Sequence, residues 1–255
     1  MTRRQRLALF GAAAVVAAGL WCWGAWGLPG FGRYPGPYGQ LINQLVVGQR
    51  HTTDAVTAVN FDYRGLDTIG EEFILFVSAL GASVLLRVLR REHLRLRPVR
   101  GVAREAPQTS EAVRLAGILL VAPGVVLGMY VVTHGQLTPG GGFQGGVILA
   151  AVGFAVFLTG GRLDLRRIVP RHLSELGHSL GAAGFVAVGL ATLALGAAFL
   201  QNILPLGATA QLDSAGFIPI VSALIGLEVS CALLLIASEF LLQAEEVEDQ
   251  GEPRG

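Results

Sequence analysis

The sequence predicts an all-α, polytopic integral membrane protein with six transmembrane helices, arranged as two plus four. Three observations carry this. Of 255 residues, 52% are hydrophobic and only 15% charged, against about 25% charged in soluble domains, and mean hydropathy is +0.57. Six apolar runs approach the ~20 residues that cross ~30 Å of hydrocarbon at ~1.5 Å per residue. Arginine falls almost entirely on one side of the topology those runs imply.

The runs are Leu7–Leu28, Glu72–Val88, Leu115–Thr133, Gly145–Leu158, Leu176–Leu200 and Phe217–Leu242. Backbone polar groups in lipid must be paired internally, so each is a helix. All 19 basic residues are arginine. Arg3, Arg4 and Arg6 precede the first run. Arg87, Arg90, Arg91, Arg95, Arg97, Arg100 and Arg104 follow the second, with Arg114 just beyond. Arg162, Arg166, Arg167 and Arg171 follow the fourth. Six spans put all of these on one side, which is therefore cytoplasmic, with both termini. Only Arg33, Arg50 and Arg64 fall outside. The acidic tail Glu245–Asp249 is tolerated there, because acids weigh little in this rule.

Trp21, Trp23 and Trp26 cluster at the outer end of the first run, as an interfacial aromatic belt does. A signal peptide is the competing reading, but the run is long and lacks a clear small-residue cleavage site. Cys22 and Cys231 are far apart in depth, so they read as small packed hydrophobes, not as a disulfide or a metal site. Net charge is +1, which offers nothing to nucleic acid.

The chain divides at the basic segment Arg90–Pro107. Residues 1–89 hold two spans and a long external loop, 90–111 an Arg-rich cytoplasmic linker, 112–243 four spans, and 244–255 the tail.

Three segments carry candidate chemistry. The first, Asn60–Glu72, gathers Asp62, Arg64, Asp67, Glu71 and Glu72 before the second span. Thr68-Ile-Gly-Glu71 is a literal capping box, and acids suit a helix N-terminus. Asp62 or Asp67 can pair with Arg64. The functional alternative has Glu71 facing a hydrated cavity and exchanging a proton or cation; residue physics alone favours the cap. The pattern Asp62-x-Arg64-Gly65-x-Asp67-Thr68-x-Gly70-Glu71, with Gly81 beyond, resembles the C-terminal part of the large subunit of Mrp-type multisubunit Na⁺/H⁺ antiporters. The same module stands alone as the MbhE-type subunit of related hydrogenases. The resemblance covers about 55–86 and implies that Glu71, with Asp67 and Asp62, lines a proton or cation path.

The second segment is Val132–Val147, with three glycines after Pro139. It lacks the Lys-Ser/Thr of a phosphate loop. Span four is short and span three is interrupted by Pro123-Gly124, features that can mark ion sites; a tight hairpin between closely packed helices is the simpler account. This segment closely resembles the signature of the MnhB/MrpB family, which supplies one of the membrane subunits of the same antiporters. His134, Pro139, Gly140, Gly141, Gly142, Phe143 and Gly145 match it as a structural loop. Gln136 stands where many members have His or Asn, so no titratable role transfers there. The resemblance runs through Ser214–Pro219 and Ile225–Val229, covering 115–242.

The third is Glu228, in the middle of the last span. A carboxyl at that depth costs about 2.5–3.5 kcal/mol on insertion scales. It must face protein or water, as an interhelical hydrogen bond or as a relay, and intramembrane acids favour the relay. Glu239 reads as solvated, His134 and His178 as interfacial, and Asp213 as the cap of the sixth helix.

The resemblance implies a non-enzymatic subunit of a Na⁺/H⁺ antiporter in the cell membrane. Other subunits, the lipid bilayer, Na⁺ and H⁺ are its partners, with no cofactor and no metal centre. A redox-driven, complex I-like assembly and a purely structural scaffold are the alternatives. No Ser/His/Asp set or nucleotide loop speaks for an enzyme.

Overall fold

The computed structural model describes residues 3–28, 36–96, 110–168 and 170–251, and among these every regular element is helical. The helices are α1 (Arg3–Trp26), α2 (Pro37–Arg50), α3 (Ala55–Ala58), α4 (Gly65–Leu96), α5 (Glu111–Thr133), α6 (Gly142–Ile168), α7 (Arg171–Ala194) and α8 (Ile218–Gly251), with a π turn, Val59–Tyr63, between α3 and α4. Five helices are long and apolar enough to cross a bilayer, within α1, α4, α5, α7 and α8. The protein is a multi-pass membrane protein.

The chain forms two compact units, Met1–Ile42 and Asn43–Gly255. In the first, α1 is apolar over Leu7–Trp26; Trp21, Trp23 and Trp26 lie on its surface, as lipid-facing side chains do. In the second, α5 and α6 form a hairpin whose helices nearly touch. A Cβ on Gly117 would meet Thr159, and one on Gly124 would meet Val152. Small residues permit that approach, which is how helices gain contact in lipid. α8 packs on both α6 and α7, and α4 packs on α8 and α7.

Several expected boundaries move. The fourth span, expected over Gly145–Leu158, is a continuous helix from Gly142 to Ile168, apolar over Gly142–Phe157. Its 27 residues reach about 40 Å, so a short apolar run need not mean a short helix. α7 starts and stops earlier than expected. Pro170 precedes it, and Gly196, at φ 79°, ends it in the left-handed conformation that closes helices. The outer segment expected as loop is helical over Pro37–Arg50. Proline at the first helical position and Leu41, Ile42, Leu45 and Val46 at helical spacing account for that.

Candidate functional site

α4 does not begin at a capping box. The π turn runs through Arg64 into a helix that starts at Gly65, so Thr68 lies inside it. The Thr68 hydroxyl donates instead to the Asn60 carbonyl at 2.7 Å. The cap in this region belongs to Asp54, whose carboxylate accepts from the Val56 and Thr57 amides at 3.2 Å each. The earlier start sets the rotation of everything downstream on α4.

The acids of this segment separate. Asp62 is a clasp: its side chain is 4% exposed, meets Arg50 Nε at 2.8 Å and accepts from Asn202 Nδ2 at 2.9 Å. Asn202 Oδ1 in turn accepts from the Phe217 amide at 3.2 Å, just before α8. Asp213, expected to cap that helix, does not do so; Asn202, earlier in the same α7–α8 connection, reaches its start instead. Asp67 pairs with Arg64 on the surface, both more than half exposed, an arrangement worth little. Glu71 is exposed, whereas Glu72 is 5% exposed. Adjacent helical residues point ~100° apart, so only one acid of the pair can face the core.

Glu72 faces Glu228. The two carboxyl groups come within interacting reach across the α4–α8 contact, and Glu228 is fully buried. As carboxylates both only accept. Apart from each other, Glu72 Oε2 and both Glu228 oxygens are buried without a protein hydrogen-bond partner. Two buried acceptors facing each other at membrane depth need positive charge between them, a shared proton or a cation. Glycine on α7 makes the room: a Cβ on Gly181 would fall 2.6 Å from Glu228 Cβ and 2.7 Å from the Leu224 carbonyl.

His178 is not interfacial. It is 3% exposed and stacks on Phe76 of α4, ring centroids 4.5 Å apart and planes 21° apart. Neither ring nitrogen has a side-chain hydrogen-bond partner. His134 is half-buried and stacks on Tyr130 at 4.0 Å.

Glu239 is not solvated: it is 2% exposed and ion-paired with Arg171, which also holds Glu175 at 2.9 Å. Removing one partner of a buried charge pair strands the other. Arg171→Leu is expected to destabilise the protein by about 1–3 kcal/mol, read as a lower thermal midpoint in detergent. Arg171→Leu/Glu239→Leu should recover most of the loss, since no buried charge is then left without the partner it has lost.

The glycine-rich loop is a joint. Gly141 adopts φ 115°, open to glycine but strained for other residues. Gly142 abuts α8, where a Cβ would sit 2.1 Å from the Ser222 carbonyl oxygen. Ser222 Oγ donates to the Val132 carbonyl at 2.7 Å, tying the end of α5 to α8. Gln136 is fully buried. Its side chain donates to the Leu212 carbonyl at 2.9 Å, and its carbonyl accepts from the Thr53 amide at 3.1 Å. Phe61 of the π turn packs beside Gly141. Pro139 and Phe143 are exposed, and Gly145 packs against Val132 and the Gly128 carbonyl.

This loop and Glu228 both lie within residues 112–235, which match the family model described as a domain related to the MnhB subunit of the Na⁺/H⁺ antiporter. Residues 112–235 form an MnhB-type domain. The chain is also similar to a Methanocaldococcus jannaschii protein described as uncharacterized, at 28% identity over 228 residues, covering 81% of this chain and 83% of that one. Among solved structures it resembles a chain of the membrane-bound sulfane sulfur reductase, an archaeal respiratory membrane complex. There the TM-score is 0.68 at 29% identity, covering 94% of this chain and 99% of that one. It shares its fold with part of a chain of the Mrp complex of Dietzia sp. DQ12-45-1b, at TM-score 0.67 and 22% identity, covering 94% of this chain and 26% of that one. The MnhB-type domain supplies Glu228 and His178; Glu72 comes from α4, ahead of it in the chain.

Proposed function

We propose that this chain is a subunit of a multisubunit, antiporter-like membrane complex, in which Glu72 and Glu228 pass protons or monovalent cations. The observation that carries the reading is the buried carboxyl pair, formed only where α4 meets the MnhB-type domain. Na⁺ is the cation of the antiporter to which that domain is related. The chain is a non-enzymatic, accessory part of the cell-membrane complex. Its two plus four helices unite modules that resemble separate subunits, with both termini cytoplasmic by the arginine distribution. Glu71, on the exposed face of α4, is then offered to a neighbouring subunit, while Asp62 and Asp67 sit at the external mouth. The glycine loop of His134, Pro139, Gly140, Gly141, Gly142, Phe143 and Gly145 holds the helices in register.

The match along 99% of a respiratory-complex chain favours a second reading, in which the same path is driven by a redox reaction. Affinity purification of the tagged chain in mild detergent tests both. An assembly of several membrane subunits is expected. Iron–sulfur absorption in that assembly assigns it to the redox-driven class, and its absence together with cation-dependent proton uptake assigns it to the antiporters. A chain that purifies alone from its native membrane overturns the subunit reading.

A further inference from the structure

Glu72 and Glu228 meet across the α4–α8 contact, and the next buried charge along α8 among the described residues is Glu239. From residue 228 to residue 239 is about 16 Å along the helix at ~1.5 Å per residue. Proton transfer needs partners within hydrogen-bonding reach, about 3 Å. A proton leaving the carboxyl pair toward Glu239 therefore needs an intermediate group.

α7 supplies one at the right level. Gly181 lies against Leu224 and Glu228, and Gly177 lies against Leu227 and Cys231, so α7 runs antiparallel to α8 here. His178, next to Gly177, sits about one turn beyond Glu228 in the direction of Glu239. Its stacking partner Phe76 is one turn beyond Glu72 on α4, so the two helices agree on that level. Arg171, Ser174 and His178 share one buried or half-buried face of α7, and Arg171 holds Glu239 at its far end. On α4, Glu72, Phe76, Ala79 and Ser83 lie on one face; Ser83 is 2% exposed and its hydroxyl has no partner. His178 is held by its stacking on Phe76 and by that residue's backbone, and neither ring nitrogen is tied to a side chain.

We infer that His178 relays protons between the Glu72–Glu228 pair and the Arg171–Glu239 end of the bundle. This rests on the carboxyl-pair reading above. A proton leaves a carboxyl oxygen of the pair and binds one nitrogen of the neutral ring, giving imidazolium. The other nitrogen then releases its proton to bridging water toward Ser174, about 6 Å along α7, and on toward Glu239, and the ring returns to neutral. The carboxylate left behind takes up a cation or the next proton from the outer side. The titratable groups within about a turn of His178's level are Glu72 on α4, and Glu228 and Cys231 on α8, which lie against Gly181 and Gly177 of α7; Arg171 lies two turns away on α7 itself.

The test uses the whole complex in inverted membrane vesicles, with proton uptake read by a pH-sensitive dye and assembly by native electrophoresis. His178→Gln keeps hydrogen bonding but cannot cycle a proton. It is expected to lower uptake at least about tenfold at wild-type assembly. His178→Glu, which titrates, is expected to restore part of the loss and to shift the pH optimum. Full uptake in His178→Gln, with Glu228→Gln inactive, overturns the relay and leaves the pair standing. Full uptake in both overturns the pair and the relay with it. If the assembled Gln and Glu variants are equally inactive, or neither assembles, His178 serves packing against Phe76 and the relay is overturned.

Discussion

Glu228→Gln is expected to reduce cation-linked proton uptake at least about tenfold while the complex is recovered in wild-type amounts. Glutamine matches the shape of the side chain and can still hydrogen-bond, but it neither releases a proton nor carries charge. A positioned proton-transfer group contributes roughly 10²–10⁴-fold where it acts, so a tenfold loss is the conservative bound. Glu72→Gln should behave alike, because a single proton or cation held between two carboxyls needs both. Glu72→Gln/Glu228→Gln should then be little worse than either single change, since groups that act as a unit are not additive. Purified complex in vesicles, assayed under an imposed cation gradient, gives all three values. Normal uptake in either single variant with intact assembly would remove the pair from the path. Loss of the complex in both would make the pair interhelical glue instead, which is the scaffold alternative.

Gly142→Ala is expected to be the most damaging single methyl in the MnhB-type domain. The added Cβ would lie 2.1 Å from the Ser222 carbonyl oxygen and 2.8 Å from the Gly226 amide nitrogen. These are backbone atoms of α8, so no side chain can swing away; α6 and α8 must part. Overpacking of this kind costs about 1–3 kcal/mol or more. Parting the helices also breaks the hydrogen bond from Ser222 to the end of α5. The readout is the thermal midpoint in detergent together with the yield of assembled complex. Gly48→Ala is the matched control: nothing lies within 4 Å of its Cβ position, and removing a glycine from a helix interior stabilises by roughly 0.4–1 kcal/mol. If Gly142→Ala tracks the control, the loop is a spacer and not a packing joint.

The glycine loop was legible because its chemistry is local. Three successive glycines after a proline admit few conformations, and their close contact with another helix is what such runs permit. Glu228 was legible for a different reason, since a lone acid in an apolar run has no inexpensive alternative to facing protein. The buried polar groups elsewhere were not legible. Glu239 and His178 stand near the ends of hydrophobic runs, where exposure is the usual state, and the ion pair of Arg171 with Glu239 joins residues far apart in the chain. Asp62 reads with Arg64, its sequence neighbour, but the fold gives it Arg50 and Asn202. Nothing local singles out Glu72 beside Glu71. Its stripe with Phe76, Ala79 and Ser83 is present in the sequence, yet choosing between neighbouring acids needs the helix rotation, which the π turn sets.

By itself the sequence determined the solvent and the class of element. Apolar length and the pairing demand of the backbone in lipid leave helices as the solution. It also placed the residues whose chemistry is costly or constrained wherever they sit, Glu228 and the glycine loop. Only the tertiary structure decided which acid Glu228 meets and which groups lie one turn beyond it. Those relations depend on helix rotation and depth, which arise from contacts between α4, α7 and α8, and no local pattern in any one of them encodes the other two.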